Sequence, residues 1–376
     1  MRKKILICGG GTGGHLYPAS AIIEYIKDNY PSCELFFVGT DKGLGGELIP
    51  GFNINYKNIK SRGLILSGNI FGKILNIIKF FYWFTLGFIQ SLKIVLKFKP
   101  DIILGMGGFA CAPVLAAGIF NGRKIALHEQ NYIPGRLNNL FSRFAKYIFI
   151  SFNDTAKYFK VKKSRVIFTG NPLRKAIRQS INIKPEFKKW GLEKGRFTIV
   201  AFGGSLGAEK INNTVINLYD YFKDNDKIQI LLICGSRFYG QLVKNKNNFI
   251  KSKDKLILKV FPYINEMQEI YRISNLIISR AGANTVSEII ECNIPSILIP
   301  YPDAVANHQF YNADFLARRG KAMLIEDRDL DSGKMIEVIE LLIKDNRKKY
   351  KDMKNMEIRG AGINSAQIIT SKLMES

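Results

Sequence analysis

The sequence predicts an α/β protein built from two Rossmann-like domains. Short, wholly apolar runs alternate with longer helix-like stretches along all 376 residues. Apolar runs without polar alternation are the mark of parallel strands covered on both faces. The two halves also open alike. Ile5–Cys8 runs into Gly9-Gly10-Gly11-Thr12-Gly13-Gly14, and Thr198–Phe202 runs into Gly203-Gly204-Ser205-Leu206-Gly207-Ala208. Strand, glycine loop and helix is the first turn of a nucleotide-binding sheet.

In the first half the runs place strands at Ile5–Cys8, Leu35–Val38, Ile102–Leu104, Ile125–Leu127, Ile148–Ile150 and Val166–Phe168. In the second they place strands at Thr198–Phe202, Ile230–Ile233, Leu256–Val260, Leu276–Ile278, Ser296–Ile299 and Met323–Ile325. The expected first domain is 1–168 completed by a terminal helix at 354–376. The expected second domain is 171–353, joined near Gly170-Asn171-Pro172.

A hydrophobic fraction of 47% supports a real core and excludes bulk disorder. The net charge of +25 fits an anionic partner or a general bias toward lysine. No nucleic-acid recognition motif accompanies the charge, so nucleic acid is not an expected partner. The five cysteines are widely spaced with no CxxC pair, which argues against a disulfide framework and a zinc site. The apolar run after Met1-Arg2-Lys3-Lys4 is short and ends in glycines, so it reads as a strand and not a leader.

Chemistry gathers where strands end, the side on which open parallel sheets bind ligands. The only three histidines, His15, His128 and His308, all follow predicted strands. His15 directly follows the first glycine loop. Glycines there admit a ligand to the backbone amides, and the helix start favours an anion. A histidine at that point could take a proton from a hydroxyl at neutral pH. His128-Glu129-Gln130-Asn131 is a polar run at a strand end, suited to sugar hydroxyls or to orienting a base.

Arg280–Glu288 leaves two readings open. Small residues opening a helix make an amide nest for a diphosphate, with Glu288 set to accept a ribose diol. Thr285-x-x-Glu288 is also the pattern of a capping box. Asn307, His308 and Gln309 offer paired donors and acceptors in another loop. Ile70–Phe98 is different in kind. Aromatics such as Phe80, Phe81, Tyr82, Trp83 and Phe84 lie in an apolar run of thirteen residues flanked by lysines. That run is too short to span a bilayer and suits a helix lying in a membrane interface, or packing on the protein with its other face.

Together these motifs resemble the MurG family of peptidoglycan glycosyltransferases. The likeness rests on Gly10–His15 with Pro18, Gly105-Met106-Gly107-Gly108-Phe109, His128-Glu129-Gln130-Asn131 with Pro134-Gly135, Gly170-Asn171-Pro172-Leu173-Arg174, the third glycine loop, Arg280–Glu288 and Asn307-His308-Gln309, in that order. Leu206, Ala110-Cys111-Ala112 and Gly45-Gly46 depart from the family's usual residues. The resemblance implies a GT-B fold, two parallel-sheet domains facing across a cleft. It implies transfer of GlcNAc from UDP-GlcNAc to the C4 hydroxyl of lipid I, the lipid-linked MurNAc-pentapeptide, with inversion and without a cofactor or metal.

By the same resemblance Thr12, Gly13, Gly14, Asn131, Arg174 and Ser205 line the donor sugar and phosphates. Ile264 presents its backbone to uracil, Ala283, Asn284 and Thr285 cradle the diphosphate, Glu288 holds the ribose and Gln309 the GlcNAc. His15 is the expected base, assisted by Glu129 or His128. Ile70–Phe88 is the expected dock on an anionic membrane, placing the enzyme peripherally on the cytoplasmic face. The rival readings are a GT-B transferase acting on another lipid, and an NAD-dependent oxidoreductase. For the latter the acid that should close the second strand is displaced to Asp41.

Overall fold

The computed structural model describes residues 2–41, 45–63, 69–204, 206–249 and 254–376. The chain divides into two compact units, 1–175 with 363–376, and 176–362.

The first unit carries β1 (Lys4–Cys8), β2 (Glu34–Thr40), β3 (Asn55–Ile59), β4 (Ile102–Gly105), β5 (Lys124–Glu129), β6 (Tyr147–Ile150) and β7 (Val166–Phe168). These pair in parallel in the order β3-β2-β1-β4-β5-β6-β7. Its helices are α1 (Gly13–Asn29), α2 (Gly45–Leu48), α3 (Ile70–Phe98), α4 (Cys111–Phe120) and α5 (Arg136–Phe141). Alternate strand residues feed two apolar layers, as the period of two requires. Leu6, Cys8, Ile103, Ile125 and Leu127 pack with Val95, Val114 and Leu115 on one face. Ile5, Ile7, Ile102, Leu104 and Ala126 pack with Leu16, Ile22, Ile369 and Leu373 on the other.

The second unit carries β8 (Phe197–Phe202), β9 (Ile228–Ile233), β10 (Ile257–Phe261), β11 (Leu276–Ser279), β12 (Ser296–Leu298) and β13 (Ala322–Leu324), in the parallel order β10-β9-β8-β11-β12-β13. Its helices are α6 (Lys175–Arg178), α7 (Glu209–Phe222), α8 (Ser236–Phe249), α9 (Met267–Ile273), α10 (Ala283–Glu291), α11 (His308–Ala317) and α12 (Ser332–Asn355), the last broken at Lys344–Arg347. Both sheets therefore reverse direction beside their first strand, between β1 and β4 and between β8 and β11. Ligands bind at such switch points.

Three expectations are corrected. The sequence reading misses β3, whose Asn55, Lys57 and Ile59 alternate with half-buried residues on an edge strand. The segment expected as one terminal helix from 354 to 376 is the end of α12, a short strand β14 (Arg359–Gly362), and then α13 (Ser365–Met374). Glycines Gly360 and Gly362, both at positive φ, interrupt it. Helix α3 runs 29 residues, more than twice the apolar run that marked it. The less exposed residues follow one face, through Phe80, Phe84, Gly87, Ser91, Ile94, Val95 and Phe98, while Ile89 and Leu96 stay exposed, and burial deepens toward the C-terminal end. Ile94, Val95 and Phe98 are buried near its C-terminus, while Ile70 and Phe71 are 78% and 84% exposed. Gly87 lies where the packed part begins, and a Cβ there would stand 2.5 Å from the Lys60 carbonyl.

Candidate active site

In the first unit the loops after β1, β4 and β5 converge beside the switch point. Gly10 leaves β1 so close to the second glycine loop that a Cβ on it would lie 2.9 Å from that of Ala110. Thr12 then starts α1 without a side-chain cap, and Gly13, Gly14 and His15 form its first turn. The uncapped amides suit an anion. Thr12 and Gly14 are exposed and His15 is half-buried.

Gly107 and Gly108 lie flat against the His15 ring. Both have positive φ, and a Cβ on Gly107 would stand 2.9 Å from His15 Cε1. Any side chain there would displace the ring. From β5, Gln130 Oε1 lies 3.3 Å from His15 Nδ1. Gln130 Nε2 donates to the Met106 carbonyl at 2.7 Å and meets His128 Nδ1 at 3.0 Å.

His128 and Glu129, expected to assist the base, are held inside. His128 is fully buried, and burial lowers its pKa to about 3. The Gly170 backbone works against that shift without reversing it, and Nε2 makes no full hydrogen bond. His128 is therefore a neutral imidazole. The Glu129 carboxylate binds its own loop: Oε1 accepts from Asn131 N at 3.0 Å and Nδ2 at 3.4 Å, and Oε2 from Gly135 N at 2.9 Å and Asn138 Nδ2 at 2.7 Å. Burial raises its pKa, and those hydrogen bonds pull the other way. Glu129 thus shapes the loop that carries Asn131, and proton transfer with substrate is not its place.

Arg174 is the nearby cation. Its guanidinium lies 4.9 Å over the Tyr17 ring, and Lys175 Nζ pairs with Asp28 at 2.9 Å, fixing this segment along α1.

The second unit presents its own set at the ends of β10, β11 and β12. Ile264 is buried in the loop after β10. Gly282 is the N-cap of α10, and no side chain caps the helix. The capping-box reading of Thr285 and Glu288 is therefore set aside. Thr285 is the third residue of α10, and Glu288 Oε2 accepts from the Tyr271 hydroxyl at 2.6 Å. The first turn of α10, Ala283, Asn284 and Thr285, starts without a side-chain cap, and a helix start of that kind suits an anion, as in the other reading. Gln309 Oε1 accepts from the backbone N–H of Ala281 at 3.2 Å and of Tyr301 at 3.0 Å. Its NH2 is thereby left as the end that can donate to a ligand oxygen. His308 turns back to the Val305 carbonyl at 2.8 Å, and Arg280 pairs with Asp327 at 2.5 Å. Ser205 lies outside the described residues.

Sequence reasoning did not single out Tyr271 or the link that Gln130 makes between the histidines. Tyr271 reads as an ordinary buried aromatic, and Gln130 as one of several polar residues at a strand end. Neither carries a signal of which atom its tip meets.

Two parallel sheets, each with an uncapped helix start beside its switch point, are the framework of a protein that binds a nucleotide-type anion. Residues 5–150 match the glycosyltransferase family 28 N-terminal domain, and residues 198–367 match its C-terminal domain. A protein from Caldanaerobacter subterraneus subsp. tengcongensis is 40% identical over 344 residues, 90% of this chain and 91% of its own. One from a Thermoanaerobacter species is 37% identical over 99% of both chains. Both are named UDP-N-acetylglucosamine–N-acetylmuramyl-(pentapeptide) pyrophosphoryl-undecaprenol N-acetylglucosamine transferase. The crystal structure of Acinetobacter baumannii MurG shares the fold, with a TM-score of 0.76 at 24% identity over the whole of both chains. The chain belongs to the MurG family within glycosyltransferase family 28.

Proposed function

We propose that this chain transfers GlcNAc from UDP-GlcNAc to the C4 hydroxyl of lipid I by a single inverting displacement. The observation that carries the chemistry is the seating of His15. Its ring is clasped by Gly107, Gly108 and Gln130 at the first turn of α1. A half-buried imidazole held so firmly is oriented for one proton transfer. His15 takes the C4 proton as the hydroxyl oxygen bonds the anomeric carbon and the bond to UDP breaks. Asn131, on the loop that Glu129 holds, and the amides of Thr12, Gly13 and Gly14 contact sugar and phosphate.

The donor side follows from chemistry in the second unit. The amides at Ala283–Thr285 take the diphosphate, and they stabilise the charge that grows on the departing UDP. Arg174 is a further cation for that charge. Glu288 accepts the ribose diol, the Ile264 backbone meets uracil, and the Gln309 NH2 donates to GlcNAc. Ser205 is proposed for the phosphates on its motif alone.

The exposed N-terminal half of α3 supports peripheral attachment to the cytoplasmic face of the membrane. Ile70, Phe71, Ile74, Leu75, Ile78 and Phe81 are all exposed, with Lys73 and Lys79 among them. Aliphatic and aromatic side chains flanked by lysines suit an anionic interface.

Transfer of labelled GlcNAc to a short-chain lipid I analogue, with UDP-GalNAc and UDP-glucose as competing donors, tests the reaction. Donor-selective formation of the disaccharide lipid is expected. Intact UDP-GlcNAc binding without transfer would assign the chain another acceptor. A folded His15→Ala protein with full turnover would remove the base assignment.

A further inference from the structure

We infer that Gln130 is a positioning residue that fixes the ring tautomer of His15. The inference rests on the reading of His15 as the base and deepens it. Gln130 is buried, at 1% exposure, and its amide group has three neighbours. One is the Met106 backbone carbonyl, 2.7 Å from Nε2, which can only accept. Turning the amide over would set two carbonyl oxygens against each other at that distance. The Met106 carbonyl therefore decides which end of the amide is NH2.

Two consequences follow from that one backbone atom. The second N–H of Nε2 faces His128 Nδ1 at 3.0 Å, so that ring nitrogen accepts and the His128 proton sits on Nε2. Oε1, an acceptor, faces His15 Nδ1 at 3.3 Å, so the His15 proton sits on Nδ1. The lone pair of neutral His15 is then on Nε2, the nitrogen farther from the backbone. The amide gives the two histidines opposite tautomers, and only the one that bears its lone pair on Nε2 is half-exposed.

The glycine loop makes the arrangement tight. A Cβ on Gly107 would stand 3.0 Å from His15 Nδ1 and 3.6 Å from Gln130 Oε1. On the Gly107 side the pair is thus covered by backbone, close enough that a side chain at that position would crowd both groups. Met106 belongs to the same loop, so one short segment both clasps the His15 ring and orients the amide that sets its proton.

Nitrogen-15 NMR of the full chain labelled at histidine tests this directly. Three histidines give three assignable pairs of ring signals, each reporting which nitrogen carries the proton. At a pH of about 8.5, where an ordinary histidine is neutral, His15 is expected as the Nδ1–H form and His128 as the Nε2–H form. Gln130→Met should release His15 toward the Nε2–H form and lower kcat about 10- to 100-fold with KM for UDP-GlcNAc little changed, the pattern of a misdirected general base. Gln130→Glu should restore the His15 tautomer, since a carboxyl oxygen in the place of Oε1 accepts from His15 Nδ1–H in either protonation state. A wild-type His15 in the Nε2–H form overturns the inference, even if Gln130→Met does not fold. So does a folded Gln130→Met protein with an unchanged His15 tautomer. The spectrum does not depend on turnover, so loss of the base assignment through His15→Ala would be seen separately.

Discussion

Acidification from about pH 7.5 to about pH 5 should destabilise the first unit through His128. Burial lowers the His128 pKa to about 3 in the folded chain, against 6.5 for the ordinary side chain. Across this interval the unfolded chain binds a proton that the folded chain refuses, so stability falls as pH falls. Stability from this group is complete above the ordinary value and is lost progressively down to about pH 3. At 1.36 kcal/mol per pH unit, the interval from the ordinary value to pH 5 is worth about 2 kcal/mol. Urea unfolding at a series of pH values measures it. The two tryptophans lie in different units, Trp83 in the first and Trp190 in the second, so a Trp190→Phe background reports the first alone. In that background His128→Gln should flatten the acid limb by about 2 kcal/mol relative to the parent. Groups remote from His128 contribute equally to both proteins and cancel in the difference. Parallel pH profiles for parent and variant would refute the assignment of a buried, neutral His128.

Glu129→Ala should cost the first unit about 1–3 kcal/mol in the same assay, since it removes the acceptor shared by half-buried Asn131, the Gly135 backbone and buried Asn138; unchanged stability would mean the loop is held by other contacts. Tyr271→Phe removes the hydroxyl that holds Glu288 and should weaken UDP binding about 5- to 10-fold by calorimetry, the equivalent of one hydrogen bond of about 1–1.5 kcal/mol. UDP affinity equal to the parent's would exclude Tyr271 as the residue that orients Glu288. Replacing Phe71, Ile74, Ile78 and Phe81 together with serine should reduce sedimentation with anionic vesicles at least 100-fold, given about 1.5–3 kcal/mol for each large apolar side chain that leaves water. The same variant should unfold like its parent, because these side chains are exposed in the folded chain; full vesicle binding would place the membrane contact elsewhere.

Much of the architecture is legible in the sequence because parallel strands buried on both faces need unbroken apolar runs. Twelve of those runs coincide with observed strands. The edge strand β3 escapes because its exposed side carries Asn55 and Lys57, which look like a loop. The glycine loops point to the site for a steric reason that spacing reveals, close approach of one backbone to another. Direction is what the sequence withholds. It shows Glu129 beside His128, yet the strand sends the carboxylate into its own loop and the imidazole into the interior. It shows Thr285 and Glu288 at capping distance, yet the helix starts at Gly282 and leaves them within its body. It shows one aromatic helix without saying where along its length the packing stops, a matter settled by contacts with α4 and the β3 loop.

The return of the chain into the first unit sets an order of assembly. Ala366, Ile369 and Leu373 of α13 belong to the same apolar layer as Leu16, Ala19 and Ile22 of α1. The ribosome makes α1 before the second unit and α13 after it. Until α13 emerges, one face of the first sheet lacks part of its cover. The second unit, 176–362, is by contrast continuous in sequence and complete before then. Because domains fold as units during synthesis, the half of the chain made later is the half that can close first. A chain truncated after Gly362 would keep its second unit whole and leave the first with an open seam of apolar surface along α1.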